Sequence, residues 1–306
     1  LELYERNRVR IISANDKEYP KKLKKIKDYP VFLYLKGKKL KDYEKIKIDK
    51  DKISVENKRN IAVVGTRRAT KFGKTACEKI INELVNYDVT LISGLAEGID
   101  TVALKTALDK GIEVASVVGT GLDIVYPYDN RGLWERIAEN GTIVSEYPLG
   151  TQPTRWTFPR RNRIIAGMSD GILVAESFKK GGALITAELG FSMNREIFAI
   201  PGFINYPSFE GCNDLIKNNK AKLTTCGNDI AIEFLWDIKK EKSKLQKLTE
   251  EEQIVFEVIT EEVSFEQILQ NVKEKIEKNK LFSIIMSLKI KGLITETNGA
   301  KYIRIV

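Results

Sequence analysis

The chain has 306 residues, no histidine and a formal net charge of +9 at neutral pH. The lack of histidine excludes serine–histidine catalytic triads, histidine-ligated metals and histidine phosphorelays, because these sites depend on the imidazole side chain. The three cysteines, Cys77, Cys212 and Cys226, are far apart and form no C-x-x-C pair. They predict neither a disulfide framework nor a zinc site, and they fit a reducing cytoplasm.

Length and hydropathy indicate the number of domains and the location of the protein. A chain longer than about 250 residues predicts two domains. No apolar run approaches the roughly 18 residues of a membrane span, and the N-terminus is too charged for a secretory signal. We therefore expect a cytoplasmic protein. The chain begins at Leu1 rather than at methionine, and we expect an upstream segment to be missing.

The positive charge is concentrated in residues 1–60, which hold 19 lysines and arginines against 10 acidic residues, a balance of +9. Its stretches KKLKKIK and KGKKLK also fit a simple solvated surface. The stretch YPKKLKKIKDYPVFLYLKG shows no clear period. We expect residues 1–60 to form a basic N-terminal extension of irregular strand and turn that packs on the core.

From residue 61 onward, short β-branched runs alternate with longer amphipathic stretches. Strands are predicted at 61–64, 89–92, 113–118, 142–145, 172–175 and 197–200. Helices are predicted at 71–86, 99–110, 131–139 and 183–193, with a shorter one near Arg163. This alternation is typical of βαβ units with a covered parallel sheet. Residues 61–238 are therefore predicted to form an α/β domain with a Rossmann-like, doubly wound parallel sheet.

The C-terminal part differs in composition. Residues 239–247 lie in a charged stretch, DIKKEKSKLQK, that is typical of an exposed linker. Residues 248–306 predict helices at 249–260, 265–272 and 279–291, followed by a hairpin that turns at Asn298-Gly299. Three helices followed by a two-stranded wing predict a small winged-helix domain.

Glycine-bearing turns follow the first, second, third and fifth strands of the core, in VVGTRRAT, ISGLAEGID, VVGTGLDIVYP and FKKGGALITAE. The carboxyl ends of parallel strands form one rim, so all four turns should line one edge. Glycine permits close backbone approach, and the N–H groups of the following helix favour an anion. Each turn alone also fits ordinary tight-turn chemistry. The candidate phosphate contacts are Gly65, Thr66, Arg67, Ser93, Gly94, Gly98 and Gly119.

The known nucleotide-binding fingerprints are absent from these turns. Gly119 and Gly121 begin a G-x-G, but Ile124 stands where the third glycine of G-x-G-x-x-G would be, and G-x-x-x-x-G-K-[ST] does not occur. The rim therefore favours a chain of phosphates over a single nucleotide cofactor. No cofactor, metal or catalytic residue is expected.

A second signal is the stretch TRWTFPRRNRIIAG at 154–167, after the fourth strand. No acidic residue occurs between Tyr147 and Ser169. Arginine pairs with phosphate in a bidentate manner, and aromatic faces stack on bases. The stretch therefore predicts a groove for single-stranded nucleic acid. The alternative is that the arginines pair with Glu97, Asp123 and Glu146 while the two aromatic residues are core. The candidates are Arg155, Trp156, Phe158, Arg160, Arg161, Asn162 and Arg163.

These motifs resemble the DNA-processing protein A family (DprA, also called Smf). The similar stretches are VVGTRRAT, LISGLAEGIDTVA, VVGTGLDIVYP, SEYPLGTQPTRWTFPRRNRIIAG, KKGGALITAELG, FAIPG and GCNDLI. They follow the family order from residue 61 to about residue 216, and YPKKLKKIKDYP...LYLKG extends the similarity upstream. Thr66 stands where a serine is usual, and KGGA at 180–183 replaces the usual S-G-S.

The resemblance implies an extended Rossmann fold that binds single-stranded DNA without known catalysis, forms homodimers and loads the RecA recombinase during natural transformation. By position, Arg67 resembles the phosphate-gripping arginine of the first turn, Arg155 a basic DNA contact and Phe158 the base-stacking aromatic. Arg161 and Asn162 match the F-P-x-R-N core of the motif. The winged helix occurs only in some members, and its Lys280, Lys289 and Lys291 fit either a DNA contact or a protein-docking or stabilising module.

Two other functions remain open from the sequence. One is a nucleotide-hydrolysing enzyme of the lysine-decarboxylase-like group, which uses P-G-G-x-G-T-x-x-E. Gly181, Gly182 and Glu188 keep the outer spacing of that motif, but Leu184 and Ile185 replace its inner glycine and threonine. The other is a sensor that binds a mononucleotide at the rim.

Overall fold

The computed structural model describes residues 2–40, 44–49, 52–57, 59–236, 248–259, 262–273, 275–290, 293–297 and 301–304. The chain divides into two compact units, Leu1–Lys239 and Lys240–Val306. The linker predicted at 239–247 lies outside the described residues.

The first unit contains a nine-stranded sheet and a separate two-stranded hairpin. The chain forms, in order, β1 (Val9–Ser13), β2 (Phe32–Gly37), the hairpin strands β3 (Glu44–Asp49) and β4 (Lys52–Asn57), β5 (Arg59–Gly65), β6 (Val89–Ser93), β7 (Glu113–Val118), β8 (Thr142–Ser145), β9 (Gly171–Glu176), β10 (Glu196–Ala199) and β11 (Lys222–Leu223). The order across the large sheet is β1-β2-β8-β7-β6-β5-β9-β10-β11.

Seven neighbouring strands of this sheet are parallel to one another. In sheet order they are β8, β7, β6, β5, β9, β10 and β11. The predicted α/β fold with a doubly wound parallel sheet is confirmed. Strands β6 and β9 are buried along their whole length, because helices cover both faces of a parallel sheet. This burial explains why these segments are continuous apolar runs in the sequence.

The N-terminal segment differs from the predicted extension, since its first two strands, β1 and β2, belong to the large sheet itself. Strand β2 pairs antiparallel with β8, with Tyr34 opposite Ser145, and β1 pairs antiparallel with β2. Leu33 and Leu35 are completely buried, whereas Tyr34 between them is more exposed. This is the period-2 burial of a strand with one face on the core.

Eight helices are described in the first unit: α1 (Glu2–Arg6), α2 (Lys71–Leu84), α3 (Ile99–Asp109), α4 (Arg131–Asn140), α5 (Thr157–Met168), α6 (Gly182–Ser192), α7 (Glu210–Lys217) and α8 (Gly227–Glu233). Helix α2 buries Cys77, Ile80, Ile81 and Leu84, the spacing of a single apolar face. Strand β5 lies between β6 and β9, so the strand order reverses there. A crevice is expected at the carboxyl ends of these strands.

The second unit contains α9 (Glu250–Val258), β12 (Val263–Ser264), α10 (Phe265–Val272), α11 (Lys278–Ile290), β13 (Ile294–Thr297) and β14 (Lys301–Arg304). Its three strands pair in the order β12-β14-β13, and it has its own apolar core. Lys280 pairs with Glu251, and Lys289 pairs with Glu296, both at 2.5 Å. The turn predicted at Asn298-Gly299 and the candidate Lys291 lie outside the described residues, and the winged-helix assignment stays a prediction.

No helix among the described residues has both the length and the hydropathy to cross a membrane.

Candidate nucleic-acid interface

A cleft of about 310 Å³ opens where the strand order reverses. Its walls are the turn after β5, the first turns of α5 and α6, and Ser177 just after β9. The cleft brings together eight residues of the sequence motifs: Gly65, Thr66, Arg67, Phe158, Arg161, Asn162, Gly181 and Gly182. We call this the rim cleft.

Phe158 lies beside the rim cleft between an aromatic ring and a cation. Its ring centroid is 5.4 Å from that of Tyr126, with the planes tilted by 34°. The guanidinium carbon of Arg67 lies 5.4 Å from the same centroid on Phe158. A side chain added at Gly119 would place its Cβ 3.2 Å from the Phe158 ring, so glycine makes room for it. We call Tyr126, Phe158 and Arg67 the aromatic platform.

Trp156 and Arg155 form a second exposed pair in the loop before α5. The guanidinium carbon of Arg155 lies 4.8 Å from the Trp156 ring, and Trp156 is 70% exposed. Trp156 is therefore not a core residue, contrary to one of the two alternatives left open by the sequence. Within the described part of the chain, neither Arg67 nor Arg155 forms an ion pair with a carboxylate. Their charges remain available to an anion.

Two aromatic residues at this rim are not among the candidates predicted from the sequence. Tyr126 and Tyr128 are 37% and 68% exposed, and the guanidinium carbon of Arg131 lies 6.0 Å from the Tyr128 ring. The signal that could have identified them is the stretch VYPYDN, which follows the glycine turn after β7.

Other arginines of the motif do pair with an acid, as the alternative expected. Arg163 Nη2 lies 2.5 Å from Glu146 Oε1, and both side chains are largely buried. Arg163 also pairs with Asp28 at 3.1 Å. Arg160 Nε lies 3.4 Å from Glu146 Oε2, but its side chain is 63% exposed. Arg160 is thus partly neutralised, while Arg163 is a structural residue.

Arg161 differs from its predicted role as a phosphate contact. The residue is only 5% exposed, and its Nη1 donates to the carbonyl oxygens of Gly94, at 2.6 Å, and Val117. Burial lowers the pKa of Arg161 to about 10, while the Asp100 carboxylate opposes the shift. The guanidinium therefore stays charged at neutral pH. It ties α5 to the ends of β6 and β7.

The second glycine turn is also built differently from the prediction. Ser93 is completely buried, and its Oγ donates to the Val63 carbonyl at 2.6 Å. The N–H groups of Gly94 and Ala96 donate to Asp100 Oδ2 at 3.0 and 3.4 Å. The N-terminus of a helix attracts an anion, and at α3 this anion is the Asp100 carboxylate. Ser93 and the Gly94 amide are therefore not free to bind phosphate.

The N-termini of α2 and α6 at the rim differ in whether a carboxylate of the protein already occupies them. At α2, the Thr70 N–H donates to the buried Glu176 carboxylate at 2.9 Å. At α6, the N-cap residue Gly181 supplies no side-chain cap, and Gly182 is exposed beside the rim cleft. The first N–H groups of α6 thus remain open to a ligand.

Gly98, in the turn after β6, packs closely against the turn after β5. Its φ is +77°, and an added Cβ would lie 2.3 Å from the Thr66 carbonyl oxygen. The next residue, Ile99, donates its N–H to that oxygen at 3.2 Å. The role of Gly98 is therefore close packing that fixes the turn carrying Thr66 and Arg67.

The described residues contain no group of three or more His, Cys, Asp or Glu side chains arranged to hold a metal. Glu188, on which the enzyme alternative depends, is exposed on α6 and does not line the rim cleft.

Comparison with known proteins identifies the family. Residues 10–235 match the family model described as DNA recombination-mediator protein A, which is more than half of the chain. The chain belongs to the DNA recombination-mediator protein A family. This confirms the resemblance to DprA and Smf proteins.

Several relatives from other bacteria are similar over most of this chain. The DNA processing protein DprA of Streptococcus pneumoniae is 42% identical over 222 residues, 72% of this chain and 73% of the relative. DprA of Bacillus subtilis is 33% identical, over 75% of this chain and 73% of the relative. The match to Protein Smf of Escherichia coli, at 37% identity, covers 70% of this chain and about half (54%) of that longer relative.

Two solved structures of DNA recombination-mediator proteins share the fold. The X-ray structure of DprA from Streptococcus pneumoniae has a TM-score of 0.66 at 38% identity, covering 76% of this chain and 77% of its own. A structure of Helicobacter pylori DprA, reported for its single-stranded DNA binding mode, has a TM-score of 0.61 at 26% identity. The match covers 74% of this chain and 95% of that chain.

Proposed function

We propose that this protein binds single-stranded DNA along the rim, with phosphates held by Arg67, Arg155 and Arg160 and a base stacked on Phe158. The observation that carries the proposal is the aromatic platform, where an exposed arginine lies against a phenylalanine and forms no ion pair with any described residue. Stacking on an aromatic ring contributes about 1–3 kcal/mol per base. The bases of a duplex are not available for such stacking, so single strands should be preferred.

The other predicted site residues take three supporting roles in this proposal. Gly65, Thr66 and Asn162 line the rim cleft, where the open N-terminus of α6 favours a phosphate. Gly94, Gly98 and Gly119 provide the close approaches that shape the turns. Ser93 and Arg161 hold those turns in place from inside the protein.

Family membership supports a proposal about the partners. The related Helicobacter pylori structure describes single-stranded DNA binding, and the family model describes a recombination mediator. We propose that the protein acts in the cytoplasm as a homodimer that protects incoming single-stranded DNA and loads RecA on it, without catalysis of its own.

The test is fluorescence anisotropy of a labelled single strand and its duplex over a salt series, with wild type, Arg67→Ala and Arg155→Ala. Loss of one phosphate contact should make the log–log salt slope shallower by about 0.7. The control is Arg6→Ala, because Arg6 is exposed on α1. Helix α1 leads into β1, which begins at the end of the sheet away from the rim, near the first residues of β8.

We expect weaker and less salt-dependent binding of the single strand by Arg67→Ala and Arg155→Ala, and wild-type binding by Arg6→Ala. Equal affinity for both DNA forms, or an Arg67→Ala protein indistinguishable from wild type, would contradict the proposal. Saturable binding of a mononucleotide without binding of oligonucleotides would favour the sensor instead.

A further inference from the structure

A second group of exposed aromatic side chains lies at the same rim, on α2 and in the loop after β10. The ring centroid of Phe203 lies 5.5 Å from that of Phe72 and 5.6 Å from that of Tyr206. Phe72, Phe203 and Tyr206 are 41%, 60% and 50% exposed. Three adjacent rings with this much exposure leave a continuous surface uncovered. We call them the outer aromatic patch.

The structure holds this patch in place. Asn213 on α7 accepts a hydrogen bond from the Gly202 N–H and donates one to the Gly202 carbonyl, both at 3.1 Å. An added Cβ at Gly202 would lie 2.0 Å from the buried Phe209 ring, so glycine lets the loop close over that ring. Phe209 in turn supports Phe72 with a centroid distance of 5.4 Å. The exposed rings are therefore presented on a fixed support.

Consecutive arginines connect this side of the rim with the aromatic platform. Arg67 lies over Phe158, and Arg68 lies over Phe178 in the loop after β9, with its guanidinium carbon 5.7 Å from the ring centroid. Four residues after Arg68, α2 contributes Phe72 to the outer aromatic patch. Cations and rings thus follow one another from Phe158 toward the patch.

The charge near the patch is complementary to a phosphate backbone. Arg68, Lys71 and Lys74 are exposed, and within the described ranges none of them forms an ion pair. Lys179 is 3.8 Å from Asp214, whereas the neighbouring Lys180 has no such partner in the described part of the chain. Exposed rings beside unpaired cations are the two elements of a single-strand binding groove.

We propose that the bound DNA strand continues from the aromatic platform past Arg68 and Phe178 to the outer aromatic patch, which stacks additional bases. This inference rests on the proposed function and extends it. The aromatic platform holds short strands, and the outer patch contributes only when the strand is long enough to reach it. The length of DNA covered by one protein therefore depends on Phe203 and Tyr206.

The experiment compares the affinity of the 306-residue chain for oligothymidylates of about 5 and about 20 nucleotides. The variants are Phe203→Ala, Tyr206→Ala and Phe158→Ala. The control is Phe191→Ala, because Phe191 is 56% exposed at the C-terminal end of α6, away from the rim. Thermal unfolding checks that each variant is folded.

We expect Phe203→Ala and Tyr206→Ala to weaken binding of the long strand by about 5-fold to 100-fold, the equivalent of one lost base stack, without changing the short strand. Phe158→Ala should weaken both lengths, and Phe191→Ala neither. Unchanged binding of both lengths by the two patch variants would overturn the inference and leave the patch to a protein partner. An equal loss on both lengths would also overturn it. Failure of the wild type to bind either length would overturn the proposed function itself.

Discussion

At the scale of single residues, the arginines of one short stretch have opposite roles. Arg155 is exposed beside Trp156, whereas Arg161 is buried and donates to backbone carbonyls. Arg163 is buried against Glu146. A buried charge requires a partner, since desolvation otherwise costs several kcal/mol. Arg161 donates to the Gly94 and Val117 carbonyls and lies within the electrostatic influence of the Asp100 carboxylate. We therefore propose that it positions the site.

The first prediction concerns Arg161. Replacement by methionine should destabilise the fold by about 3–5 kcal/mol, because Asp100 would remain buried without its cation. The measurement is the free energy of unfolding in urea. Arg160→Met is the matched control, because this neighbouring side chain is 63% exposed and its pair with Glu146 should contribute about 0–1 kcal/mol.

The same variants distinguish a structural role from DNA contact. If Arg161 bound phosphate directly, Arg161→Met would lower the salt dependence of binding without a large loss of stability. That result would contradict the positioning role. A second substitution, Asp100→Asn, should recover part of the lost stability, because it removes the unpaired buried charge.

At the scale of the elements, α5 explains why the stretch TRWTFPRRNRIIAG did not by itself reveal which of its side chains face the rim cleft. The sequence predicts only a short helix near Arg163 within the arginine stretch, but α5 begins at Thr157 and continues to Met168. Successive helical residues point in directions about 100° apart. Phe158 and Asn162 therefore share the face toward the rim cleft, while Arg163 turns toward Glu146 and Asp28. The direction in which each of these side chains points therefore depends on the helix.

The second prediction concerns the turns before α2 and α3. Gly98→Ala should destabilise the fold by about 1–3 kcal/mol, because it adds a Cβ at positive φ against the Thr66 carbonyl. Displacement of this turn should also weaken single-strand binding, since the turn carries Arg67. Urea unfolding and DNA titration measure the two effects.

Gly132→Ala is the control for this substitution. Gly132 lies in α4, where an added Cβ would meet nothing within 4 Å, so this change should be neutral or slightly stabilising. A Gly98→Ala protein with wild-type stability and DNA affinity would show that the close contact between the two turns is not required.

At the scale of the whole molecule, the candidate site belongs to one of the two compact units. All residues of the rim cleft, the aromatic platform and the outer aromatic patch lie within Leu1–Lys239. In the second unit, the cations Lys280 and Lys289 pair with Glu251 and Glu296. These pairs leave less positive charge for DNA than the sequence suggested.

The third prediction is that a chain ending at residue 239 keeps its affinity for single-stranded DNA within about twofold. Anisotropy titrations of the truncated and complete chains provide the comparison, and circular dichroism confirms that the truncated chain is folded. A loss of more than about tenfold would indicate that the second unit contributes directly to binding.

The sequence by itself determined the α/β fold, the family and the rim that carries the candidate site. Alternating strands and helices dictate a parallel sheet, and glycine turns mark the carboxyl ends of its strands. Only the tertiary structure decided that β2 joins the sheet beside β8 and that Asp100 occupies the N-terminus of α3. It also decided which arginines face solvent. These features depend on contacts between residues that are distant in the chain, and local patterns of residue type do not encode such contacts.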